Sequence, residues 1–143
     1  MRLDIRMFES SDADVLCPTA VDETLHNETD KWKQWAIVNA QAGPAYTAVN
    51  EAGELIGAAG IRLVRTGVGN VWAVFSPKVR DYKKDVLRWL KTMLPIIMEE
   101  FDLKKLRTDS RKGFAASQRF LKHIGFRCLR KETESSYFYI LEV

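Results

Sequence analysis

Two short stretches hold most of the residues able to do chemistry in this chain. The first is Asp22 to Asp30, DETLHNETD, with Glu23, His26 and Glu28. Any of the three could take a proton from an amine, and His26 alone has an ordinary pKa near neutrality. The simpler reading of each is a solvated surface group. The second stretch is Pro77 to Asp85, PKVRDYKKD, where Lys78, Arg80, Lys83 and Lys84 gather against Asp81 and Asp85. A phosphate there would meet four cations, and backbone N–H groups wherever a helix begins. The simpler reading is a solvated basic loop, and a third is a docking point for another anion or partner. Ser117 adds one hydroxyl, a poor acid and otherwise a polar helix-start position. No Ser-His-Asp order and no sharply spaced carboxylate pair is present, so hydrolase chemistry has little support. The two histidines and two cysteines are scattered and form no metal-ligand motif. Cys17 and Cys128 read as free, mostly buried thiols.

Both stretches need elements to hold them. Leu3, Ile5 and Met7 alternate with Arg2, Asp4 and Arg6, the period of a first strand with one buried face. Ser10 or Ser11 is placed to cap a short helix with Asp12 and Asp14 in its first turn, ended by Pro18. From Asp22 a second helix is expected, with Leu25, Trp32, Trp35 and Ile37/Val38 on its apolar side. Asn27 predicts a break, and Gly43-Pro44 an end. Trp32 and Trp35 beside Lys31 and Lys33 could stack on bases, but helix-face aromatics are usually packed.

A short strand follows at Tyr46 to Val49 and a longer one at Leu55 to Val64, joined by a turn at Glu51 to Glu54. The run Gly57-Ala58-Ala59-Gly60 implies close backbone packing. Thr66, Gly67 and Gly69-Asn70 read as the next turn. Val71 to Phe75 is apolar at nearly every position, as in a central strand covered on both faces. Pro77 breaks it, and Lys83 or Asp85 begins a helix carrying Val86, Leu87, Leu90, Met93/Leu94, Ile97 and Phe101. Pro95 removes the bond to the Lys91 carbonyl and should kink or divide that helix, at a typical cost of about 3 kcal/mol. Leu103 to Thr108 reads as a strand, and Ala115 to Ile124 as a helix stopped by Gly125. Phe126 to Leu129 and Tyr137 to Leu141 read as a hairpin around Glu132 to Ser136. This order predicts an α/β (α+β sandwich) architecture: a mixed, mostly antiparallel sheet of six or seven strands with about four helices.

With 143 residues, 46% hydrophobic and 29% charged, a single soluble domain spanning 1–143 is expected. The net charge of +3 permits anionic ligands without arguing for nucleic acid. Lys78 to Lys91 carries six positive and two negative residues, but no nucleic-acid recognition motif accompanies it. No apolar run is long enough to span a membrane, and MRLDIRMFESSD has no secretory pattern. A cytoplasmic protein is therefore expected.

Two stretches and the order of the elements together resemble one family. Ala116-Ser117-Gln118-Arg119-Phe120-Leu121-Lys122-His123-Ile124-Gly125-Phe126 looks like the late helix and sixth strand of the GNAT acyl-CoA N-acyltransferases. The hairpin GELIGAAGIRL looks like their third strand, and the element order matches over nearly the whole chain. More narrowly, a Trp-containing fourth strand and a glycine-free loop resemble small phage-encoded GNAT-like proteins, some of them virion components. The resemblance implies acetyl-CoA as co-substrate, no metal, and a small-molecule or protein amine as acceptor. It places the pantetheine arm along Trp72, Ala73, Val74 and Phe75. The pyrophosphate falls at the loop holding Lys78, Arg80, Asp81, Tyr82, Lys83, Lys84 and Asp85.

The sequence departs from the family at two points. If Arg80 takes the first position of the Q/R-x-x-G-x-G/A loop, Lys83 and Asp85 stand where glycine and glycine or alanine are expected. The family's asparagine and its general-acid tyrosine, twelve and five residues before the G-F phenylalanine, are here Phe114 and Leu121. Two other readings therefore stay open: a catalytically inactive GNAT-fold structural or interaction protein, of the kind that phages or prophages encode, and an anion- or nucleic-acid-binding module.

Overall fold

A computed structural model describes residues 3–142, so Arg2 of the first alternating run lies outside the described residues. Seven strands form one mixed sheet in the order β1-β2-β3-β4-β5-β7-β6. They are β1 Leu3–Met7, β2 Ala45–Asn50, β3 Leu55–Arg65, β4 Val68–Phe75, β5 Lys105–Arg111, β6 Arg127–Glu132 and β7 Ser136–Glu142. Four α-helices accompany them: α1 Ser10–Leu16, α2 Thr29–Gln41, α3 Lys83–Glu100 and α4 Ala115–His123. The pairs β1–β2, β2–β3, β5–β7 and β6–β7 are antiparallel, and β4–β5 is parallel. The element order is the expected one. The chain divides into two compact units, Met1–Arg62 with Trp72–Asp85 and Leu63–Val71 with Val86–Val143.

In the first unit, β1 and β2 pair with Arg6 opposite Thr47. Directly opposed residues share a face of the sheet. Both side chains reach Asp12 on α1: Arg6 donates two hydrogen bonds at 2.9 and 2.8 Å, and Thr47 Oγ1 one at 2.7 Å. The Glu9 N–H donates a fourth at 2.9 Å, so Asp12 closes the helix start from within. Glu9, not Ser10 or Ser11, is the capping residue. The expected burial alternation of β1 holds for Leu3 and Ile5, both half-buried, with Asp4 exposed between them, and fails only at the next two residues. Arg6 lies on the α1 side, while Met7, expected on the buried face, is 74% exposed.

Above Asp12, the core gathers Ala13, Leu16, Cys17, Leu25, Ala36, Ala45, Ala58, Trp72 and Val74. Trp72 packs edge-on against Phe8 (5.6 Å between ring centres) and Trp35 (5.7 Å), and Trp35 against Trp32 (5.5 Å). The helix-face tryptophans are therefore packing residues. The small run on β3 makes room for β4: a Cβ at Gly60 would lie 2.6 Å from the Pro44 carbonyl and 2.7 Å from Trp72 Nε1. One at Gly57 would overlap the Phe75 ring.

In the second unit, α4 ends as expected. Gly125 takes φ +105, and the Gly125 and Phe126 N–H groups bond back to the Lys122 and Leu121 carbonyls. Three expectations are corrected. Gly69 and Asn70 belong to β4, and the turn is confined to Thr66-Gly67, because β4 starts early to pair Val68–Asn70 with Lys105–Arg107. α3 runs undivided through Pro95, which sits on its exposed side where water can serve the freed carbonyl. Phe101 falls beyond the end of α3 and is 37% exposed. Cys17 is buried and Cys128 exposed, on a strand at the sheet edge.

Candidate functional site

The end of β4 and the loop after it are built from local hydrogen bonds. The Ser76 N–H donates to the Ile56 carbonyl of β3 at 2.9 Å. Ser76 Oγ then accepts from the Lys78 N–H at 3.1 Å, capping a 3₁₀ turn over Pro77–Asp81. Proline at the head of this turn supplies a preset φ. The Val79 N–H bonds to the Ser76 carbonyl and the Tyr82 N–H to the Val79 carbonyl, and α3 begins at Lys83. Among the described residues, none from 76 to 85 has a positive φ, so the loop closes without glycine.

The loop residues divide by exposure. Lys78, Arg80, Asp81, Lys83 and Lys84 are exposed, Asp85 is half-buried, and Tyr82 is buried at 8%. Tyr82 is thus packed beneath the loop. Lys78 Nζ forms an ion pair with the Glu54 carboxylate on the β2–β3 turn. Asn50 Nδ2 donates to the same carboxylate at 3.1 Å. The Lys78 ammonium, then the Asn50 amide, hold the Glu54 carboxyl below its ordinary pKa. Of the four expected cations, Lys78 has an internal acid partner, while Arg80, Lys83 and Lys84 lie exposed at the start of an 18-residue helix. The first turn of a helix has N–H groups without intrahelical partners and a positive end of the helix dipole.

On β4, the Ser76 N–H points at β3, so the Phe75 carbonyl of the same planar peptide points away from β3. That carbonyl accepts from the Val21 N–H at 2.7 Å. The carbonyl of the same Ala20–Val21 peptide meets His26 Nε2 at 2.8 Å. Ala73 is the strand residue whose N–H and C=O point to the same edge as the Phe75 carbonyl, by strand alternation. Among the described residues, the ladder of β4 with β5 ends at Asn70. Trp72 and Val74 are buried core residues, and buried Trp72 Nε1 has no hydrogen-bond partner among the described residues.

The early acid–base candidates separate clearly. Glu23 and His26 sit on a second 3₁₀ turn, Glu23–His26, capped by Asp22 accepting from Thr24 N–H and Oγ1 at 3.1 and 2.8 Å. This is the break expected near Asn27. Glu23 is exposed, and Glu28 is exposed and paired with Lys31 at 3.4 Å. Only His26 is tied to the end of β4. Ser117 lies on α4 in the second unit, half-buried. There Phe114 precedes the helix with the Arg111 guanidinium 5.5 Å over its ring, and Leu121 is buried. The backbone bonds at Ala20 and Val21 carry no sequence signal, because any residue has an N–H and a carbonyl there. Among the described residues, no group of three or more His, Cys, Asp or Glu could hold a metal ion, and no helix is long and apolar enough to cross a membrane.

The chain matches no family model and no curated protein sequence. Solved structures do resemble it. An acetyltransferase of the GNAT family from Staphylococcus aureus Mu50 superposes with a TM-score of 0.75 at 14% identity, covering 99% of each chain. A spermidine N-acetyltransferase chimera from Vibrio cholerae and hSSAT gives 0.72 at 12% identity, covering 99% of this chain and 96% of that one. The ribosomal-protein-S5-alanine acetyltransferase of Vibrio fischeri gives 0.67 at 14% identity, covering 99% and 93%. The fold is that of the GNAT acetyltransferases.

Proposed function

We propose that the chain binds an acyl-CoA thioester and passes its acyl group to an amine. One observation carries the reading: β4 runs into a short cationic turn and then the N-terminus of an 18-residue helix, with Arg80, Lys83 and Lys84 exposed there. A pyrophosphate at this point would receive backbone N–H groups, the helix dipole and three cations. An extended pantetheine arm would find Ala73 on the strand edge before it. Acetyl transfer then needs an amine free of its proton, a polarised thioester carbonyl, and the two held in line. Amine acceptors such as spermidine or a ribosomal-protein alanine, named for two proteins of like fold, are the first to try.

Calorimetry with CoA tests the reading. Heat of binding is expected for the native chain, and Lys83→Glu with Lys84→Glu should weaken affinity by about tenfold or more. No heat and no thermal shift at millimolar CoA overturns it. Unchanged affinity in the double variant moves the phosphate elsewhere.

A second reading has its own support. Phe114 and Leu121 have no side-chain proton to give, and Lys78 is held by Glu54. A GNAT-fold protein that binds CoA without catalysis, as a structural or interaction module, would give heat with CoA but release no thiol from acetyl-CoA with any amine. An anion- or nucleic-acid-binding module would instead give salt-sensitive filter binding of nucleic acid without CoA heat.

A further inference from the structure

We propose that His26 is the proton acceptor for the incoming amine, held to that task by the Ala20–Val21 peptide. The inference rests on the acyl-transfer reading above. Both ends of this one peptide group are engaged. Its N–H donates to the Phe75 carbonyl at the end of β4 (2.7 Å), and its carbonyl meets His26 Nε2 (2.8 Å). A carbonyl oxygen can only accept, so Nε2 carries the hydrogen. In the neutral ring the remaining nitrogen, Nδ1, is then the basic one. A base whose other nitrogen is fixed by a third group is the general arrangement of an oriented catalytic imidazole.

The anchor is firm and the base is accessible. Ala20 is 2% exposed, whereas His26 is an exposed residue. The rival carboxylates lack any such tie to β4: Glu23 stands exposed on the same turn, and Glu28 pairs with Lys31. The two elements packed against this turn, Cys17–Thr19 and α2, carry Cys17, Asp30, Lys31 and Lys33 as their titratable groups. Burial pushes the Cys17 thiol up, and Lys33 is paired with Asp14 at 3.3 Å.

The step balances with an acyl thioester as co-substrate. The protonated amine gives one proton to His26 Nδ1. Its nitrogen pair forms the bond to the acyl carbon as the carbon–sulfur bond breaks, and the sulfur leaves with that electron pair. The second proton lost from nitrogen ends on the thiolate, and His26 returns the first to water.

The test is thiol release from acetyl-CoA with spermidine and with an alanine-terminated peptide, followed from roughly pH 6 to 9, in the native chain and in His26→Gln. Glutamine can still donate to the Ala20 carbonyl but cannot act as a base. The variant should keep CoA affinity and the amine KM within about twofold, lose kcat by about a hundredfold, and lose the acid-side inflection of kcat/KM. A variant that keeps native kcat, or keeps that inflection, overturns the assignment. A native chain that binds CoA but releases no thiol with either amine overturns it while leaving CoA binding intact. No CoA heat at all overturns both.

Discussion

Asp12 shows how a single residue escapes a sequence reading. By position it is an acid in a helix's first turn, suited to the dipole, and that much holds. Its side chain is nevertheless only 4% exposed and accepts from Arg6, Thr47 and the Glu9 N–H. Burial alone would raise its pKa, but those donors outweigh it and hold the carboxyl below its ordinary value. Thr47 is 35 residues away in the chain, so no local pattern announces the contact. Asp12→Asn should cost about 2–4 kcal/mol at neutral pH, since it strips a buried, fully bonded carboxylate from its donors. The sign of the pH dependence follows from the lowered folded pKa. Stabilisation is complete above the unfolded value, near pH 4, and is lost as pH falls through the folded one. Urea unfolding of both chains should show a gap at pH 7 that narrows below about pH 4. A gap independent of pH would mean that shape, not charge, sets the cost. His26 is the complementary case: its chemistry was visible in the sequence, but its tie to the end of β4, which Glu23 and Glu28 lack, comes from the backbone bond of Val21 to Phe75 and the imidazole's bond to the Ala20 carbonyl.

At the scale of elements, the small run on β3 was legible and its reason was not. Gly57-Ala58-Ala59-Gly60 signals close approach, but only the structure names the Phe75 ring, the Trp72 indole and the Pro44 carbonyl as what approaches. These glycines shape the end of β4, and so the edge on which Ala73 and Phe75 lie. Gly60→Ala would place its Cβ 2.6 Å from a backbone oxygen, which cannot step aside as a side chain can. Overpacking of this kind costs about 1–3 kcal/mol. Gly53 is a useful contrast: its Cβ would meet nothing within 4 Å, but its φ of +80 charges a non-glycine residue about 1 kcal/mol. The Gly60→Ala denaturation midpoint should fall below that of Gly53→Ala, and the reverse order would show that β3 and β4 can part at little cost. The loop after β4 teaches the opposite lesson. Its missing glycines looked like a defect, yet a proline-led 3₁₀ turn with every φ negative closes it without them. Whether side chains can replace close backbone approach to a phosphate is then a question of charge rather than of backbone freedom.

For the whole molecule, element order was legible because hydrophobic period and turn residues mark strands and helices locally. The placing of β7 between β5 and β6 was not, since strand pairing depends on partners distant in sequence. Charge is where the whole-molecule view matters most for the proposed site. The net charge of +3 is too small to draw CoA by itself. Attraction must come from the local cluster of Arg80, Lys83 and Lys84, and exposed charges of that kind are screened by salt. Affinity for CoA should therefore fall about three- to tenfold between roughly 0.05 and 0.5 M sodium chloride. The adenosine 3′-phosphate 5′-diphosphate half should follow the same slope, and pantetheine, which has no phosphate, should show almost none. Measuring all three by calorimetry separates a phosphate site from a pantetheine site. If pantetheine binds as CoA does and salt has no effect, the grip lies along β4, and the basic loop is the solvated surface that its exposure also allows.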